Sequence, residues 1–123
     1  MRASPHPVKE LEVVQRAYDL ILWEVRLITR FPVPYRAVLG DRMQTTLYTV
    51  LENLLAARYD RSARPALLAA VNVELEKARY HVRLARDLKL WDSKRQEHAA
   101  GLIDEVGRQV GGWLASCARP PGS

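Results

Sequence analysis

Apolar residues recur at every third or fourth position along most of the chain, which is the period of an α-helix with one buried face. In three segments a single row carries this pattern, and short polar or proline-containing stretches separate the segments. The rows are Leu39, Met43, Leu47, Val50 and Leu54; then Leu68, Val71, Leu75, Ala78, Val82 and Ala85; then Ala99, Ile103, Val106, Val110, Trp113 and Cys117. The pattern predicts three amphipathic helices that share one core.

The segment that precedes these three carries two apolar rows. One row, a heptad-like seam that suits the shallow crossing angle of a helix bundle, contains Leu11, Val14, Tyr18, Ile21, Val25 and Ile28. A second row beside it contains Val13, Ala17, Leu20, Leu27 and Phe31. Two interpretations fit this surplus of apolar surface: this is the central helix of its domain, or part of the surface contacts another subunit.

The boundaries of the helices follow from proline and polar residues. Pro32 and Pro34 end the first helix, because proline lacks an N–H and disfavours helical dihedrals in the preceding residue, so residues 31–43 form a corner. Pro65 suits the first turn of a helix, and Ser93 with Gln96 matches a capping box. The prediction is an all-α, up-down-up-down four-helix bundle. Its helices cover about residues 8–31, 35–59, 65–88 and 93–117, with a flexible arm at 1–7 and a disordered tail at 118–123.

Length and hydropathy indicate one globular domain. A chain of 123 residues can bury a hydrophobic core without disulfides, and none of its apolar runs reaches the roughly 18 residues that a membrane span requires. The N-terminal residues lack the apolar stretch of a signal peptide, so we expect a cytoplasmic protein without membrane partners. The single cysteine, Cys117, is interpreted as a small, half-buried apolar side chain.

The charge balance favours an anionic partner. Nineteen Lys and Arg stand against fourteen Asp and Glu, fifteen of the cations are arginine, and the net charge is +5. Arginine binds phosphate through a planar fork of donors, although surface arginines also serve only to solvate helices. Arg79, Arg83 and Arg86 lie on one stripe of the third helix and are the predicted nucleic-acid contacts, with Arg36 and Arg42 at the corner as second candidates. Two alternatives stay open: the stripe is a solvated face, or Arg42 anchors the corner.

The residues with catalytic potential are dispersed. His6, His81 and His98 form no Glu-x-x-His pairs of the kind that bind two metals in a helical bundle, and no phosphate loop or nucleophile elbow occurs. We therefore expect no enzymatic activity, no metal and no cofactor. Tryptophan can stack on bases but more often packs in a core or an interface. Gly107 and Gly111, one turn apart, predict close approach of a neighbouring backbone.

Short motifs along residues 8–117 resemble a known family. They are Tyr18-Asp-Leu20, Phe31-Pro-x-x-Tyr35-Arg-x-x-Leu39-Gly40-x-Arg42, Leu75-Glu-Lys-x-Arg79, Arg86-Asp-Leu88, Glu97-His98 and Gly107-Arg-x-x-Gly111-Gly-Trp113. In this order and spacing they are similar to the Avd family, the accessory variability determinants of diversity-generating retroelements. That family lies within a wider group of four-helix proteins related to those encoded in 23S rRNA intervening sequences.

The resemblance implies a function as well as a fold. It implies a homopentameric barrel of four-helix protomers that is not itself an enzyme. It also implies binding to the retroelement's reverse transcriptase and to template RNA or DNA, in support of mutagenic cDNA synthesis. The alternative, suggested by the rRNA-insert branch, is a structural four-helix oligomer whose contacts are with protein only.

Overall fold

The structure is a computed structural model that describes residues 7–118, and every element in this part of the chain is helical. The elements are α1 (Pro7–Ile28), α2 (Val33–Tyr35), a π-helical turn (Arg36–Gly40), α3 (Asp41–Tyr59), α4 (Arg64–Asp87) and α5 (Ser93–Cys117). α1 and α4 each pack against both α3 and α5, which confirms the predicted all-α class and the four-helix bundle. Apart from Pro7 and Ala118, the predicted arm and tail lie outside the described residues.

The rows predicted for the later helices are buried, with Trp113 and Cys117 half-buried at the end of α5, and of the two apolar rows of α1 it is mainly the second that is buried. Leu11 and Tyr18 are 51% and 50% exposed, whereas Val13, Ala17 and Leu20 are completely or almost completely buried. α1 is therefore rotated so that the second apolar row faces the core. Glu10 and Glu24 lie on the same stripe as that row and are also buried, and these two carboxyls made the true core row look polar in the sequence.

The corner between α1 and α3 is tighter than the prolines alone predict. α1 ends at Ile28 rather than at residue 31, and Pro32 caps the single turn of α2. A π-helical turn then leads into α3, and it buries Leu39 and Gly40. A Cβ atom placed on Gly40 would lie 2.8 Å from Cγ2 of Ile28, so this close approach of corner and helix requires glycine.

α5 begins with a cap that differs from the predicted capping box. Asp92, not Ser93, is the N-cap residue, and its Oδ1 accepts a hydrogen bond from the backbone N–H of Arg95 at 2.9 Å. An aspartate at this position satisfies one of the free N–H groups of the first turn, as a serine would. The start of α5 at residue 93 agrees with the prediction, although a neighbouring side chain provides the cap.

The end of the bundle that holds the α3–α4 turn, here called the α3–α4 end, uses arginine for structure. The buried Arg64 donates from Nε to the carbonyl of Ala57 at 2.7 Å and from a terminal nitrogen to the carbonyl of Arg58 at 3.1 Å. Its guanidinium lies 5.2 Å from the ring centre of Trp113. Because the last carbonyls of a helix have no partners within it, Arg64 serves as a side-chain cap for α3.

α1 contains two buried carboxyl groups with different surroundings. Oε1 of Glu10 lies 3.7 Å from Nε of Arg58, an ion pair between α1 and α3. Oε2 of Glu24 is buried without a hydrogen-bond partner in the described structure, and burial raises the pKa of Glu24 from 4.5 to about 8. Glu24 is therefore a neutral acid at pH 7, held in the core with no cation beside it.

An apolar strip remains on the outside of the bundle along α1 and α3. On α1 it includes the exposed Leu11, Tyr18 and Leu22, and on α3 it includes Tyr48 and Leu55. In this α1–α3 strip, Leu11 and Tyr18 belong to the first apolar row of α1.

Candidate nucleic-acid interface

The stripe of three arginines predicted on α4 divides into residues with different partners. Nε and a terminal nitrogen of Arg79 donate to Oδ1 of Asp104 on α5, at 3.3 and 3.1 Å, and its other terminal nitrogen donates to Glu76 at 3.2 Å. Arg79 also packs 3.4 Å from the position that a Cβ atom on Gly107 would take. Arg79 therefore joins α4 to α5, and its fork of donors is already used within the protomer.

Arg83 and Arg86 have weaker contacts within the protomer than Arg79, so their charge is more accessible to a partner. Arg83 lies 3.9 Å from Asp87, and both side chains are more than 60% exposed, so this pair is loose and contributes little stability. Arg86 is exposed and has no carboxylate within 4.0 Å among the described residues. Arg83 and Arg86 are thus better candidates for phosphate contact than Arg79.

The two corner arginines also differ from each other. Nε of Arg36 donates to the carbonyl of Phe31 at 2.9 Å, so this side chain holds the corner. Arg42 is exposed at the start of α3 and forms no hydrogen bond in the part of the chain that the structure describes. Its charge and the burial of His81 both lower the pKa of that imidazole, with burial the larger cause. The anchoring role considered for Arg42 belongs instead to Arg36.

Four of the five predicted arginines lie at the same end of the bundle, here called the basic end and defined as residues 26–42 and 83–97. The antiparallel order of the helices brings these two segments together, although about forty residues separate them in the chain. The basic end carries nine Lys and Arg against four Asp and Glu, whereas the rest of the described chain carries eight against ten. A field of one sign at one end of a small protein attracts polyanions.

Sequence reasoning missed five cations of the basic end. They are Arg26, Arg30, Lys89, Lys94 and Arg95. In the sequence they look like isolated solvated side chains, because none of them continues the stripe on α4. Among the residues that the structure describes, only Arg95 of these five has a carboxylate within 4.0 Å, that of Asp92 at 3.9 Å. Their shared position depends on the bundle topology, which no local motif encodes.

The aromatic residues near the basic end pack mainly on one another. The buried Trp91 lies edge-on to Trp23, with 5.5 Å between ring centres, and 6.0 Å from Phe31. Trp23 also lies 4.7 Å from the exposed ring of His98. These contacts fasten the α4–α5 turn to α1, which is the packing role considered for tryptophan. The predicted close approach of a neighbouring backbone is found at neither glycine: a Cβ atom on Gly107 would meet only the side chains of Arg79 and Leu75, at 3.4 and 3.7 Å, and one on Gly111 would have open space around it.

Other kinds of site find little support in residues 7–118. No group of three or more His, Cys, Asp and Glu side chains comes together in a way that could hold a metal ion. A shallow groove of about 490 Å³ runs along α4 past Asn72, Glu76, Tyr80 and His81, and its lining comes from this helix alone. No helix in the described range has the length and hydropathy to cross a bilayer. The basic end is therefore the main candidate for a functional surface.

Comparison with known proteins agrees with the motifs and with the four-helix fold. A search of curated proteins gives no match. The family model described as bAvd-like matches residues 11–117, which include all four long helices except the first residues of α1. The match also includes the corner and the cations of the basic end. The chain therefore belongs to the bAvd-like family, a family of the Avd type.

Proposed function

We propose that this protein is a non-enzymatic accessory factor of a diversity-generating retroelement, which binds the reverse transcriptase and the template RNA during mutagenic cDNA synthesis. Membership of the bAvd-like family supports this role. The observation that carries the RNA part is the basic end, with its nine cations and four acids. Phosphate backbones bind such surfaces without any need for a catalytic group.

The proposed accessory factor acts as a homo-oligomer, and five copies are what the resemblance to Avd implies. The exposed α1–α3 strip supports self-association, because a row containing Leu11, Tyr18 and Leu55 at 40–51% exposure is costly to leave in water. Burying this strip between protomers would keep the basic end accessible, since the strip runs along the side of the bundle. Repetition of the basic end around one particle would multiply its affinity for a long polyanion.

The experiment measures RNA binding and particle mass together. Light scattering should give a mass of about 70 kDa, five times the 14.0 kDa chain, and RNA affinity should fall linearly on a log–log plot against salt. In the double variant Arg42→Glu, Arg86→Glu we expect the same mass and a salt slope smaller by about two. Neither arginine has an ion pair in the described structure, so the fold should tolerate both changes.

A matched control places the same charge change at the other end. Lys9→Glu with Arg61→Glu changes two exposed cations, again without ion pairs among residues 7–118, and should leave the slope near that of the wild type. If both double variants weaken binding equally, binding depends on net charge and the basic end has no special role. If the wild-type oligomer binds no RNA but captures the reverse transcriptase, the protein-only alternative replaces this proposal.

A further inference from the structure

The C-terminus of α4 contains the only residue other than glycine with positive φ in the described backbone. That residue is Lys89, at φ 62°. The N–H of Lys89 donates to the carbonyl of Arg86 at 2.9 Å, and the N–H of Leu90 donates to the carbonyl of Ala85 at 2.8 Å. This pair of bonds defines a Schellman motif with Lys89 at its left-handed position.

Glycine is the residue that suits this position. A side chain in the left-handed region brings its Cβ close to the following carbonyl, a strain that glycine avoids. A lysine near a helix C-terminus interacts favourably with the helix dipole, but Arg86 in the last turn already provides a cation there. Lys89 therefore retains a positive charge at a site where the backbone alone would favour glycine.

The turn that carries Lys89 is packed against the core through the two residues that follow it. Leu90 is half-buried against the core, and Trp91 is 4% exposed with aromatic contacts to Trp23 and Phe31. Asp92 then caps α5. A cation on a fixed turn binds a phosphate with less loss of conformational entropy than one on a mobile loop.

The nearest cations on either side of Lys89 also form no ion pair among the described residues. Arg86 lies one turn before it and Lys94 lies in the first turn of α5, and none of the three has a carboxylate within 4.0 Å among the residues that the structure describes. Arg83 and Arg95 form loose pairs with Asp87 and Asp92, which leaves the middle of the turn free. Three unpaired cations within nine residues form a compact basic site.

We infer that the α4–α5 turn is a phosphate-binding site for the RNA backbone, with Lys89 as its central contact, placed there at the expense of helix-end stability. This inference rests on the proposed function and adds to it a residue and a location outside the predicted arginines. The physical signature is a trade-off: replacement of Lys89 by glycine should stabilise the fold and weaken RNA binding in the same protein.

The test compares Lys89→Gly with Lys89→Arg and Lys9→Gln. We expect Lys89→Gly to raise Tm by a few degrees, to lower RNA affinity severalfold and to reduce the salt slope by about one. Lys89→Arg should keep the wild-type slope, because it keeps the charge. Lys9→Gln removes one exposed lysine at the α3–α4 end and should leave the slope unchanged.

The possible outcomes separate this inference from the proposed function. If wild-type protein binds no RNA, the proposed function fails before Lys89 is tested. If wild-type protein binds RNA and Lys89→Gly binds it with the same affinity and slope, the site is wrong while the function stands. If Lys89→Gly lowers Tm, the lysine serves the helix dipole and the trade-off is refuted. Loss of reverse-transcriptase capture with unchanged RNA binding would also overturn the phosphate assignment.

Discussion

At the α3–α4 end, Arg58 and Arg64 turn inward onto a buried carboxylate and two helix carbonyls, whereas at the basic end Arg42 and Arg86 are exposed and have no partner within residues 7–118. The residue type is the same, and the difference lies in what each helix end leaves unsatisfied. The last carbonyls of α3 need donors, and arginine provides them. At the basic end Asp92 and the Schellman bonds already satisfy the helix termini, so the cations remain available for a partner.

The two buried carboxyl groups of α1 also differ in whether a cation lies beside them. Glu10, near the α3–α4 end, has the guanidinium of Arg58 at 3.7 Å, although the two form no hydrogen bond, whereas Glu24, next to the basic end, has no cation within 4.0 Å among the described residues. No Lys or Arg among the described residues forms an ion pair with Glu24, and burial alone accounts for its raised pKa. An end rich in charge can therefore adjoin an acid that stays neutral, because burial governs ionisation more strongly than distant charges do.

The largest effect expected from this contrast is a pH dependence of stability caused by Glu24. Folded protein holds the Glu24 proton up to about pH 8, whereas the unfolded chain releases it near pH 4.5. The contribution of Glu24 to the free energy of unfolding is therefore greatest below pH 4.5, falls as the pH rises, and levels off above pH 8. Between pH 5 and pH 8 the loss is on the order of 3 kcal/mol. Denaturant unfolding of wild type and Glu24→Gln across this range measures it.

The difference in free energy of unfolding between wild type and Glu24→Gln separates the effect of Glu24 from that of other titrating groups. His81 acts in the opposite direction, since its lowered pKa reduces stability as the pH falls below 6.5, but it is present in both proteins. If this difference in free energy of unfolding stays constant from pH 5 to pH 8, Glu24 is ionised in the folded protein. The contrast with Glu10 would then disappear.

The second effect concerns the inward arginine. Arg64→Met keeps much of the aliphatic volume but removes the donors to the carbonyls of Ala57 and Arg58 and the contact with Trp113. We expect the free energy of unfolding to fall by about 2–3 kcal/mol, because buried acceptors lose their partners. Arg61→Met, three residues earlier and exposed, should change it by less than about 0.5 kcal/mol. Equal effects from both variants would show that Arg64 does not cap α3.

The smallest of the three effects tests the corner beside the basic end. Gly40→Ala forces a Cβ atom to 2.8 Å from Ile28, and we expect a loss of about 1–2 kcal/mol from the strain. Gly101→Ala, on α5 with no atom within 4 Å of the new Cβ, should instead gain up to about 1 kcal/mol from helix propensity. Thermal unfolding of the two variants compares them directly. A stabilised Gly40→Ala would mean that the corner can open without cost.

Much of the fold could be predicted from the sequence. Three apolar rows of period 3.6 identified the buried faces of α3, α4 and α5, and the prolines identified the corner and the start of α4. The face of α1 could not be identified in the same way. α1 has two apolar rows, and the sequence did not show which of them is buried, because Glu10 and Glu24 lie on the buried stripe and make it look more polar than it is.

The candidate site was predictable only in part. Sequence spacing placed Arg79, Arg83 and Arg86 on one stripe, but the stripe did not show that Asp104 on another helix engages Arg79. Nor did it show that Arg42 at the corner and Lys89 beyond α4 belong to one surface. Helical spacing fixes neighbours within a few residues, and it carries no information about pairs that are 25 or 50 residues apart.

The sequence by itself determined that this chain forms amphipathic helices, where most of them begin and end, and that its surface is basic. Those properties depend on local backbone preferences and composition, which act over a few residues. The tertiary structure alone decided which row of α1 is buried, which arginines are paired, and that the unpaired cations gather at one end. These depend on how antiparallel helices meet in space, so they are set by packing between distant segments.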